Sequence, residues 1–323
     1  MKKIIVFAAA AALALAAVCA WGEWVYAGEW GTFGRDVGQF NFPEAIACAG
    51  SGDVYVADTR NDRIQYFTST GSFLGKWGWH GSGNGLFTNP TGVAISKEGT
   101  LYVADRGNHR VQYFTYMGTF LGKWGSGGSG NGEFTGPAGI AVAGKGDVYV
   151  ADTGNKRIQY FTPTGSILGK WGSSGSGEGQ FNLPKDVAIV GGGDVYVADL
   201  GNSRVQYFTS TGSFLGKWGS RGSGNGEFGS GFGVGVPRYN YVYVADFGNH
   251  RIQRFTSSGS FLGKWGSHGE GKGQFELPSD VAVNPQGGNI YVADSGNSRI
   301  QYFRWSEPAV SPTSLGRVRA LFR

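Results

Sequence analysis

The side chains with the greatest capacity for chemistry in this chain are few, and most of them recur. Asp58, Asn61 and Arg63 stand in the run Val54-Tyr-Val-Ala-Asp58-Thr-Arg-Asn61-Asp-Arg63-Ile-Gln-Tyr-Phe67. The same trio returns as Asp105, Asn108 and Arg110, as Asp152, Asn155 and Arg157, and as Asp199, Asn202 and Arg204. It returns again as Asp246, Asn249 and Arg251, and finally as Asp294, Asn297 and Arg299. A short acceptor of this kind satisfies the amides of a turn, and a guanidinium beside it makes a charge-assisted pair. Calcium would ask for about six to eight oxygens, whereas each turn offers one carboxylate and one carboxamide. A residue needed once for chemistry has no reason to appear six times, so these positions read as scaffold.

The residues outside the repeat assemble no catalytic set. His80, His109, His250 and His268 are the only histidines. His109 and His250 occupy equivalent turn positions three repeats apart, while His80 and His268 fall in glycine-rich loops, so no three of them are expected to converge on a metal. No nucleophile, acid and base can be named together, and neither catalytic residues nor a cofactor are expected. Cys48, after Ile46-Ala47, reads as a small buried side chain. Gly-Ser runs such as Gly125 to Gly132 resemble phosphate loops by composition only, since none ends in Gly-Lys-Ser/Thr and opens a helix.

The elements that position these residues follow from the period. The six aspartates are separated by 47, 47, 47, 47 and 48 residues, a spacing typical of solenoids and propellers. In the unit beginning at Phe87, Pro90 to Ile95, Leu101 to Asp105, Arg110 to Phe114 and Thr119 to Trp124 are short β-branched and aromatic segments between turns. Four strands per repeat predict the blade of an all-β, six-bladed propeller of antiparallel sheets. The last repeat stops at Phe303 without its fourth strand, and Tyr26-Ala-Gly-Glu-Trp30-Gly31 has the shape of the missing one, so an N-terminal strand is expected to close the ring. Trp30, Trp77, Trp124, Trp171, Trp218 and Trp265 then lie on outer strands and pack between blades.

With Pro-x-Gly-Val-Ala followed by Val-Tyr-Val-Ala-Asp-x-Gly-Asn-x-Arg-Ile-Gln-x-Phe, the chain resembles the NHL repeat over residues 26 to 303. The resemblance implies a six-bladed propeller. It does not select an activity, because the family resembles sensor domains of bacterial membrane kinases, RNA-binding propellers and, more distantly, amidating lyases.

Function is therefore sought where the repeats disagree. In such a blade the loop leading into the first strand and the turn between the second and third strands emerge on one face. After the leading proline stand Glu44, Thr91, Ala138, Lys185 and Ser279, with Phe232 in the fifth repeat, where Gly231 replaces proline. One step later Asp186 and Asp280 replace small residues, and after the turn aspartates stand Thr59, Arg106, Thr153, Leu200, Phe247 and Ser295. Glu44, Lys185, Asp186 and Asp280 are expected at the mouth of the channel beside an apolar sector of Leu200, Phe232 and Phe247, a candidate ligand site.

Charge and termini set the context. The formal charge of +5 falls to +3 without Lys2 and Lys3, and the tail from Arg304 carries +3, so the repeat body is neutral and nucleic acid is not the expected partner. Lys2-Lys3, the apolar run Ile4 to Val18 and Val18-Cys19-Ala20 read as a signal peptide over residues 1–20, implying a secreted or periplasmic location. Residues 21–303 form the propeller. Residues 304–323 read as a linker and a basic amphipathic tail, the one segment suited to a membrane surface. The expected protein is a monomeric binding scaffold for a protein or cell-envelope component. A lyase or hydrolase at the channel mouth and a structural surface protein are the alternatives.

Overall fold

The structure, a computed structural model, describes residues 23–190, 193–236, 241–285 and 288–306, apart from the side chain of Phe232. The expected signal peptide and residues 307–323 of the tail lie outside the described residues. Residues 26–303 form one compact unit, and the chain on either side, described at 23–25 and 304–306, forms another. No helix among the described residues is long and apolar enough to cross a membrane.

The first blade shows how the repeat becomes a sheet. Strands β2 (Pro43–Cys48), β3 (Val54–Asp58), β4 (Arg63–Phe67) and β5 (Phe73–Trp77) pair in chain order, each antiparallel to the next. All of β3 is buried, because a blade is covered on both faces by its neighbours, and the sequence accordingly lacks a polar-apolar alternation there. Asp58 pairs with both Pro43 and Arg63, which puts the leading loop and the turn at the same end of the blade. The pattern repeats with first strands Pro90–Ile95, Pro137–Val142, Pro184–Ile189, Phe232–Gly235 and Pro278–Val283, which surround the central channel. The sixth sheet is completed by β1 (Glu23–Trp30), which lies beside Arg299–Ser306.

Aromatic packing holds the blades together. Tyr55 stacks on Tyr66 within the first blade at 5.3 Å between ring centroids, and Trp77 touches Tyr66 at 6.0 Å and Phe114 of the second blade at 5.7 Å. A Cβ at Gly118 would meet the Trp77 ring at 2.6 Å, and its φ of +88° favours glycine in any case. Each buried Phe contributes roughly 1.5–3 kcal/mol by leaving water. The Tyr55 hydroxyl donates to Tyr116 O at 3.0 Å, and its counterparts do the same around the ring. In the last of these bonds Tyr291 of the sixth blade donates to Ser69 O of the first at 2.9 Å, which ties the ring shut.

Candidate functional site

In the first, second, fourth and fifth blades the turn is one helical turn of the 3-10 type, Thr59–Asn61 in the first, where Asp62 then stands at φ 53° before β4 begins. Asp58 is buried there and its oxygens are fully engaged. Oδ1 accepts from the Asn41 amide at 2.7 Å, and Oδ2 accepts from Arg63 Nε at 2.6 Å and Gln65 Nε2 at 3.1 Å. Arg63 then donates to the carbonyls of Arg35, Asp36 and Gln39, so the glycine-rich loop is folded around a guanidinium. The other five trios repeat the ion pair at 2.7–2.8 Å. Burial pushes the carboxyls of Asp58, Asp105 and Asp294 above the ordinary range, opposed by these same donors. Such saturated carboxylates have no oxygen left for a metal or a substrate proton.

The variable position after each aspartate divides into two kinds. Thr59, Thr153 and Ser295 are buried and donate to the carbonyls of Pro90, Pro184 and Pro43 in the following blade. Ser279 joins the last of these latches through Ser295 at 2.6 Å. Arg106, Leu200 and Phe247 line cavities at the mouth of the ring, to which Thr59 and Thr153 also contribute.

The larger cavity, of about 640 Å³, has an apolar wall of Phe42, Leu183, Leu200 and Phe247. Its charged rim is Glu44, Arg106, Lys185 and Arg221. Lys185 Nζ lies 2.6 Å from Glu44 Oε2, so these two expected ligand groups are bonded to each other. Phe42 meets Phe247 edge to face at 6.4 Å and carries the Arg60 guanidinium 4.3 Å above its ring. A second cavity of about 620 Å³ shares Glu44, Arg106, Thr153 and Leu183 with the first. The backbone of Phe232 pairs with Asp246, and its side chain lies outside the described residues.

Phe42, Leu183 and Arg221 were not singled out by the sequence, and Arg106 was noted as a variable position but not placed among the candidate ligand groups. A signal was present for two of them. Just before the leading proline stand Phe42, Asn89, Gly136, Leu183 and Leu277. Glycine and asparagine there announce a left-handed backbone, and all five residues have φ between 50° and 59°. Bulky apolar side chains held in that region are strained, and such strain clusters at ligand-binding surfaces.

Asp186 and Asp280 are not at the mouth with Glu44 and Lys185, as the sequence suggested. Successive residues of a strand face opposite ways, and these carboxylates turn into the channel below. Asp186 accepts from the amides of Val187 and Val234, both at 2.8 Å, and Asp280 from Val281 at 2.7 Å and Ile46 at 2.9 Å. Each therefore joins its own first strand to another blade, and a Cβ at Gly139 would collide with the Asp186 carboxylate. Enclosure by the ring pushes Asp186 up to about 6 despite these amides and Lys185. Asp280 is raised well above the usual range by enclosure and then by the charge of Asp186. Enclosure also pushes the Cys48 thiol up, away from reactivity.

Comparison with known proteins fits this geometry. The NHL repeat matches at residues 87–114, 134–161, 181–208 and 275–303. The chain is an NHL-repeat propeller. A 49-residue stretch is 47% identical to the B-box type zinc finger protein ncl-1 of Caenorhabditis elegans, covering 15% of this chain and 6% of that protein. Among solved structures, a protein of unknown function from Bacteroides thetaiotaomicron is similar with a TM-score of 0.66 and 17% identity, over 88% of this chain and 76% of that one. Kuenenia stuttgartiensis hydrazine synthase is similar at a TM-score of 0.59 and 12% identity, over 86% and 99%. A catalytically inactive virginiamycin B lyase from Staphylococcus aureus, solved with quinupristin, is similar at 0.57 and 14%, over 90% and 89%. At these identities the likeness is one of fold.

One further cluster of the NHL-repeat propeller departs from the sequence reading. His250 and His268 meet with ring centroids 4.6 Å apart, and Glu276 joins them, its Oε2 lying 2.5 Å from His268 Nε2. Considering histidines alone left out the carboxylate. The glycine-rich loop between His268 and Glu276 is folded around the Arg299 guanidinium, which donates to the carbonyls of Glu270, Gly271 and Gln274, and the Leu277 amide meets His250 Nδ1 at 3.2 Å.

Proposed function

We propose that this NHL-repeat propeller is an extracytoplasmic binding module. At the mouth of its ring it takes an apolar group with an anionic end, presented by a protein or a cell-envelope component. The observation that carries this reading is the composition of the larger cavity. Phe42, Leu183, Leu200 and Phe247 supply an apolar wall, while Arg106 and Arg221 have no carboxylate partner among the described residues. Burying one large apolar group against that wall gains roughly 1.5–3 kcal/mol, and the guanidiniums orient the anion and speed its approach. A lyase or hydrolase at the channel mouth draws support from fold alone. The lining of the larger cavity includes no histidine, and Glu44, its one carboxylate, is held by Lys185.

The test is a titration with 8-anilinonaphthalene-1-sulfonate, an apolar anion whose fluorescence reports burial, followed by capture from envelope extract on immobilised residues 21–323. Saturable binding that weakens about tenfold in the Phe247→Ser/Arg221→Ala variant is expected. A captured component that competes with the dye would then be the physiological ligand. Equal dye affinity in the wild type and the double variant, with both folded, overturns the reading.

A further inference from the structure

We propose that His250, His268 and Glu276 form a binding site for a first-row divalent cation of borderline character, zinc above all, at the seam between the fifth and sixth blades. The inference is independent of the ligand reading of the mouth.

The repeat supplies an internal control. At every seam three positions meet: the residue that closes the turn, the third residue after the tryptophan, and the residue after the buried phenylalanine of the glycine-rich loop. Between the third and fourth blades they are Lys156, Ser174 and Asn182, which hold no preferred metal donor. Between the first and second they are Asp62, His80 and Thr88, where His80 Nδ1 lies 3.0 Å from Asp62 Oδ2 but the third donor is missing. The fifth-to-sixth seam alone carries a nitrogen or carboxylate donor at all three.

The geometry is close to what coordination requires. The three donor atoms lie within 4.8 Å of one another. Bonds of about 2.0–2.2 Å in a tetrahedral site separate neighbouring donors by about 3.3 Å. His268 Nε2 would move out from 2.5 Å and His250 Nδ1 in from 3.8 Å relative to Glu276 Oε2. Each shift is less than about 1 Å. His268 is 69% exposed on a glycine-rich loop and is free to make it. The cost is the long 3.2 Å bond from the Leu277 amide to His250 Nδ1, which coordination replaces. Two imidazoles and one carboxylate are too few oxygens for calcium but suit a borderline cation, and they leave a fourth position open to solvent.

The seam also has a use for a clamp. The fifth blade has Gly231 where others have the leading proline, and Phe247 where the first, third and sixth have a hydroxyl latch to the next blade. A cation held by His250 of one blade and Glu276 of the next supplies the missing tie.

Chelator-treated full-length chain titrated calorimetrically with zinc chloride tests the site. The wild type and His80→Ala are expected to bind one ion per chain, and His268→Ala and Glu276→Gln to bind at least about tenfold more weakly. Zinc should raise the melting temperature only where it binds, and cobalt(II) should give the visible bands of a four-coordinate site. Equal affinity in His268→Ala, or no saturable one-to-one binding by the wild type, overturns the proposal. The melting curves establish that each variant is folded.

Discussion

Lys185 of the fourth blade holds Glu44 of the first, Nζ to Oε2, at 2.6 Å. In a ring of six those blades face each other, so one ion pair spans the mouth above the channel that holds Asp186 and Asp280. Both partners keep some contact with water, and screening limits the pair to about 1 kcal/mol. Lys185 also lowers the two carboxyls beneath the pair, as the smallest of the influences on each.

The channel pair makes the fold sensitive to pH. Both carboxyls are raised in the folded protein, so folding favours their protonated forms. That stability is fully present below the ordinary carboxylate range and is lost as pH rises through about 6, the value of Asp186. Asp280→Asn should therefore shrink the loss between pH 4.5 and pH 7.5. Lys185→Met, which removes a cation that lowers both groups, should enlarge it. Thermal melts of the three proteins across that range decide; parallel profiles would contradict the account.

A turn aspartate should be costly to remove. Asp152→Ala leaves the Arg157 guanidinium, 7% exposed, without its carboxylate, and takes an acceptor from Thr135 N and Gln159 Nε2. Breaking a buried pair on one side costs about 3–5 kcal/mol. Urea unfolding should show a loss of that order, against well under 1 kcal/mol for truncating an exposed pair such as Lys217–Glu178.

Two glycines with similar backbones should respond differently to alanine. Gly132 has φ +78° and open space around its Cβ, so Gly132→Ala bears only backbone strain, about 1–2 kcal/mol. Gly165 has φ +95°, and its Cβ would stand 2.6 Å from the Trp124 ring, so Gly165→Ala must also displace a packed indole. A clearly larger loss of stability in Gly165→Ala, with a shift in tryptophan fluorescence, is expected. Equal losses would mean that the ring gives way without cost.

The hydroxyl latches are structural, so Thr153→Val should preserve shape but leave Pro184 O without its 2.7 Å donor. A loss of about 1–3 kcal/mol in denaturant titrations is expected, with dye binding at the mouth unchanged. An altered dye affinity at unchanged stability would mean that the Thr153 hydroxyl, on the lining of both cavities, serves the ligand instead.

The architecture was legible because its signals are repeated. Six aspartates at a near-constant spacing, and a fourth strand absent after Phe303 but present at Tyr26, leave little choice of fold. The site was less legible because its signals are single. Lys185 and Asp186 are adjacent in sequence, and only the pleat of the strand tells that one faces the mouth and the other the channel. Phe42 and Leu183 look like ordinary apolar residues until their left-handed backbone is seen. Glu276 gains meaning only beside His268, eight positions earlier, through a fold-back held by the remote Arg299.

The sixth blade has a consequence for how the chain comes together in time. Five blades are contiguous stretches that can form their sheets as they are made, but the sixth needs Glu23–Trp30 beside Arg299–Ser306, whose contact between Glu29 and Arg299 links residues 270 apart. Completion thus waits on the longest loop closure in the molecule, and an unfinished ring displays two strand edges shaped for each other. At high concentration each edge will meet its mate on a second chain as readily as on its own. The same seam that closes the ring within one chain is therefore where crowded refolding should yield linked oligomers.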